Sequence, residues 1–136
     1  MPTVEQIDGV VWPDPPADAT RLVRTVHALR RKTIGSMSAE DLRIMLGQGV
    51  DVAALVPCSL ALLEQNPLAQ GNCYPGDLLV ATLRSPDNYW AGNPDMAAKL
   101  RSIIDRFRQI DDLDHHFPPD DQIWARIDQL CETGCF

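Results

Sequence analysis

Two histidines and two cysteines near the C-terminus, His115, His116, Cys131 and Cys135, are the side chains best suited to hold a metal, since zinc takes imidazole and thiolate ligands. Their spacing is poor for it. Adjacent histidines point in different directions, and a Cys-x3-Cys pair at the end of a helix matches no common finger pattern, so surface histidines and incidental thiols are expected and no metal is assigned. Catalytic signatures are missing in the same way. The chain has no G-x-S-x-G, no G-x-x-x-x-G-K-[ST] and no H-E-x-x-H, and Gly47-Gln48-Gly49 is too short for a dinucleotide fingerprint. No catalytic residue and no cofactor are assigned. His27 falls among core-facing helix positions, where a hydrogen-bonded structural histidine is expected. Arg30-Arg31-Lys32 reads as a solvated basic helix end that complements the helix dipole rather than as a nucleic-acid site.

Charge is the feature that these negatives leave standing. The net charge is -7, and residues 111–136 hold one basic and seven acidic side chains, so that stretch carries nearly the whole excess. An acidic flank disfavours direct binding to nucleic-acid backbones and favours a cationic partner. Within it, Asp111 to Asp121 (DDLDHHFPPDD) packs five carboxylates into eleven residues and reads as a loop, too charged and proline-interrupted to be helix. Two readings stand for it: a solubilising surface, or a contact patch of Asp111, Asp112, Asp114, His115, His116, Phe117, Asp120 and Asp121 for a basic partner. Tyr89 and Trp90, in an expected loop between Ser85-Pro86 and Gly92-Asn93-Pro94, form a second candidate surface.

The elements that must position these groups are helical. At 136 residues the chain is expected to be a single domain, 1–136, and no apolar run approaches the roughly 18 residues of a membrane-spanning helix. The first eight residues lack the basic start and apolar segment of a secretory signal, so a cytoplasmic protein with free thiols is expected, Cys58 among them buried. Residues 1–17 hold four of the eleven prolines and read as an extended arm, with Val10, Val11 and Trp12 packed back onto the helices. Asp18 can cap a helix carrying Leu22, Val23, Val26 and Leu29. Ser38 and Asp41 have capping-box spacing before Leu42, Met45 and Leu46. Asp51 can cap the next segment, which Pro57 is expected to break or kink before Asn66-Pro67 ends it. Tyr74-Pro75-Gly76 makes a turn that Asp77 follows as a cap, and Asn93-Pro94 opens the clearest helix, whose apolar face runs from Met96 to Ile110. A last helix buries Ile123, Trp124, Ile127 and Leu130. No strand-period run appears, so the fold class is all-α with six or seven short helices.

The order of motifs in the middle of the chain carries a family resemblance. Glu40 to Gln48 (EDLRIMLGQ), Leu55-Val56-Pro57, Asn66 to Gly71 (NPLAQG) and Tyr74 to Leu79 (YPGDLL) follow one another, with Leu22-Val23-Arg24 and His27-Ala28-Leu29-Arg30 upstream and Trp90 just beyond. This run resembles the immunity proteins of bacterial contact-dependent growth inhibition (CDI) systems. Gln70 stands where the family has an acidic residue, Cys73 where an aromatic or other large one is expected, and the chain after Trp90 does not align with the family's run. The resemblance implies a non-catalytic protein that binds the C-terminal toxin domain delivered by a neighbouring cell and neutralises it in the cytoplasm. Such toxins are commonly nucleases. It further implies a heterodimer with the toxin and a monomer when free, with neither nucleic acid nor membrane as direct partner. The alternative is an acidic α-helical adaptor or regulator of another basic partner.

Overall fold

Helix start and stop signals hold at Ser38, Asn66 and Pro94 and shift at several other helix starts. The computed structural model describes residues 2–111, 117 and 121–132. Among these, eight α-helices follow one another: α1 (Val4–Asp8), α2 (Arg21–Arg30), α3 (Ala39–Gly47), α4 (Val52–Gln65), α5 (Asp77–Leu83), α6 (Asp87–Gly92), α7 (Pro94–Arg108) and α8 (Gln122–Glu132), with a 3-10 turn at Ile34–Ser36. No strand occurs among the described residues, where pairing is limited to one isolated bridge between Thr3 and Thr33. The fold is all-α, a single domain, and none of its described helices is long and apolar enough to cross a membrane.

Ser38 and Asp41 form the capping box that their spacing predicts, each side chain accepting the other's backbone N–H. Asn66 ends α4, and Pro94 is the first residue of α7, as expected. α4 is the hub. It packs on α3, α5 and α7 through Leu55, Val56, Leu60 and Leu63, while α8 lies against α5 through Ile123, Ile127 and Leu130. From α7, Leu100, Ile103, Ile104 and Phe107 enter the core, on the face its periodicity marks.

Several expectations are corrected. Pro57 lies inside a continuous α4 rather than between two pieces. Pro57 and Ala53, whose carbonyl the proline deprives of its donor, are both exposed residues, on the side of the helix where that carbonyl can turn toward solvent. Burial of Leu55, Val56, Leu60 and Leu63 on the other side outweighs the local cost of about 3 kcal/mol. The proline-rich arm is not extended throughout: Thr3 and Gln6 form a capping box for α1, which buries Val4, before Gly9 turns the chain at φ 72°. Val10 and Val11 do not pack back; Val11 is 75% exposed.

α2 is capped by Thr20, whose hydroxyl accepts the Val23 N–H, rather than by Asp18, and leaves Leu22 and Val23 exposed. Its basic end is not simply solvated. Arg30 is 2% exposed, donating to Asp51 Oδ2 at 2.5 Å and the Val10 carbonyl at 2.6 Å while its guanidinium covers the Trp12 ring at 4.2 Å. Arg31 reaches Asp14 and Lys32 reaches Asp41. Asp51 therefore starts α4 with its backbone alone, its side chain making no cap bond. His27 is structural, as expected: its Nδ1–H donates to the Pro13 carbonyl at 3.1 Å, and Trp12 meets its ring edge-on. Cys58 and Trp124 are half-buried at the core's margin rather than inside it.

Candidate functional site

Three described residues mark out the acidic segment. Asp111 is exposed just past α7, and Asp121 is half-buried where α8 begins, its Oδ1 accepting the Ile123 N–H at 2.9 Å. Phe117 between them is 1% exposed. Its ring meets Phe107 edge-on at 5.3 Å and Tyr74 at 6.1 Å, and its carbonyl accepts the Trp124 indole N–H at 3.4 Å. Phe117 is thus the segment's anchor and does not present itself to a partner, because a benzyl group gains more from the aromatic cluster than from a charged surface. Asp112, Asp114, His115, His116 and Asp120 lie outside the described residues.

The second candidate surface changes too. Tyr89 and Trp90 stand on α6 rather than in a loop, and Trp90 is fully buried while Tyr89 remains partly exposed beside it, ring centroids 5.1 Å apart. Among the described residues no three His, Cys, Asp or Glu side chains converge as a metal site would require, and His115, His116 and Cys135 fall outside them.

The YPGD motif is architectural. Asp77, 3% exposed, does not cap α5 with its side chain, since Gly76 is the N-cap at φ 89°; its carboxylate reaches back to the preceding turn instead. It accepts the N–H groups of Gly71 at 2.6 Å, Cys73 at 3.0 Å and Tyr74 at 3.4 Å. Glu40 on α3 pairs with Arg43 and accepts the Asn72 N–H, so the same turn is held from its other side. The Arg43 guanidinium keeps the Glu40 carboxyl below the ordinary carboxylate range, against the opposing effect of burial. Gly76 also has to be glycine for space: a Cβ there would lie 2.7 Å from the Phe117 ring. Through Gly76 and Tyr74 the motif forms the seat on which the acidic segment is anchored.

Sequence reasoning missed a groove of about 600 Å³ between α5 and α8. Val80, Leu83 and Ile123 supply its apolar surface, and Tyr74, Arg84, Asp121, Gln122 and Arg126 surround them. Arg126 ties α8 in place, donating to the Leu83 carbonyl at 2.7 Å, the Ser85 carbonyl at 2.8 Å and Asp87 Oδ1 at 2.7 Å. Arg84 is exposed and has no carboxylate within ion-pair distance among the described residues. The groove joins positions some forty residues apart, and no local pattern signals it.

The architecture is that of an all-α domain whose most distinctive motif serves to hold one turn, against which Phe117 of the acidic stretch packs. A family model of CDI immunity proteins matches residues 6–100, and the chain belongs to that family. No curated protein and no solved structure matched it. The matched region takes in the α3–α5 scaffold and ends ahead of the acidic segment.

Proposed function

We propose that this chain binds the C-terminal toxin domain of a CDI effector one-to-one in the cytoplasm, as a monomer before binding, and neutralises a nuclease by covering its active site or the surface beside it. The family supports the toxin as partner. The excess of negative charge after residue 110 carries the rest, because a nuclease holds phosphates with cations and carboxylates compete for the same groups. Asp111, Asp112, Asp114, His115, His116, Asp120 and Asp121 are the contact residues in this reading. Phe117, among them in the chain, is packed in the core, and Tyr89 is a secondary surface. Inhibition of this kind is stoichiometric and needs neither catalysis nor a cofactor.

The test is association with the toxin domain encoded beside this chain, measured at low and moderate salt. Replacing the five aspartates of the segment by Asn is expected to slow association and flatten its salt dependence, with protection of toxin-exposed cells falling alongside affinity. Unchanged rate, affinity and protection in a folded variant would move the interface off the acidic segment.

A further inference from the structure

We infer that the groove between α5 and α8 is the specificity anchor of the toxin interface: it receives a toxin segment that presents an apolar or aromatic side chain next to a carboxylate. This rests on the toxin-binding reading above and adds to it. The first argument is position. Asp121 belongs both to the acidic segment and to the groove, and Tyr74 on the groove's rim packs against Phe117, so a partner drawn to the segment arrives at this opening.

The second argument is charge complementarity. Carboxylates clustered in an acidic stretch attract any basic protein, and alone they discriminate little between one nuclease and another. Arg84 is an exposed cation beside that stretch, with no ion pair among the described residues. A generic basic surface is repelled by it; a toxin carrying a carboxylate at the matching point is not. Specificity of this kind comes from the repulsive element as much as from the attractive one. Val80, Leu83 and Ile123 then offer an apolar surface for the neighbouring side chain, in a space within the roughly 300–1,000 Å³ that bound groups commonly fill.

Arg84→Glu separates anchoring from steering, because it makes the flank more acidic. Were attraction to the acid all that mattered, the variant would associate faster and bind more tightly. With the groove as anchor, dissociation of the toxin complex accelerates by about tenfold or more even if encounter quickens. Gln122→Trp, which fills the groove from an exposed position on α8, is expected to weaken binding in the same way while leaving the thermal transition in place. Unaltered dissociation in both folded variants, with the wild-type complex intact, overturns the groove and leaves the toxin reading standing. Failure of the wild-type chain to bind the toxin domain at all overturns both.

Discussion

At the scale of single residues, the buried aromatics and the buried carboxylates decide most. Phe107 is fully buried and touches both Phe117 and Trp124, so Phe107→Ala removes the support of α7, α8 and the acidic segment together. A loss of about 3–5 kcal/mol in urea unfolding is expected. Asp77→Ala leaves three backbone donors of one turn without their acceptor and is expected to cost on the order of 3 kcal/mol, read in the same experiment. Glu40 and Asp41 define an acid limit. Arg43 holds Glu40 low; burial pushes Asp41 up, but Lys32 and the Ser38 N–H outweigh it and leave its carboxyl below the ordinary value. A depressed folded-state value means that their contribution is complete above the unfolded value of about 4 and is lost as pH falls through the folded one. The urea midpoint is therefore expected to drop below about pH 4, less steeply in Lys32→Met.

At the scale of elements, α4 and α8 show how packing overrides local preference. The unbroken α4 carries a proline on its exposed side, which removes one backbone hydrogen bond from a helix already held by its buried face. Pro57→Ala restores that bond, partly offset by the greater freedom of the unfolded chain, and is expected to raise stability by about 2 kcal/mol. A lower thermal midpoint in that variant would mean that the helix is strained elsewhere. α8 buries Ile123, Ile127 and Leu130 and is further fixed by Arg126, whose guanidinium joins it to the end of α5 and the start of α6. The α5–α8 groove exists because that clamp fixes the two helices across a gap that side chains do not fill.

Across the whole molecule, charge separates along the chain: the first fifty residues are balanced, and the excess lies beyond residue 110. Screening lengths near 10 Å make location matter more than total charge for an encounter. Neutralising Asp111 and Asp112 to Asn is expected to slow toxin association roughly 3- to 10-fold at low salt. The same change in net charge at Asp18 and Asp105, exposed positions ahead of α2 and on α7 respectively, is expected to leave it unaltered. Stopped-flow association of the two double variants makes the comparison. Equal slowing would mean that the field of the whole protein, rather than the acidic flank, guides the toxin.

Residue types and spacing alone were enough for the helical class, the Ser38–Asp41 capping box, the ends at Asn66 and Pro94, the apolar face of α7 and the ordered motif that marks the family. Each of these rests on forces acting within a turn or two of the chain, which residue types and spacing record directly. Thr3 and Gln6 had the same legible spacing but were hidden among prolines. It took the packed helices to show that α4 continues through Pro57, that Trp90 and Phe117 turn inward, and that Arg30 is buried against Asp51 twenty-one residues away. Packing alone decided that Arg126 meets Asp87 thirty-nine residues away and so opens a groove beside the acidic flank. Burial and long-range pairing depend on which helices come to face one another, and no window of sequence short enough to show a period contains both partners.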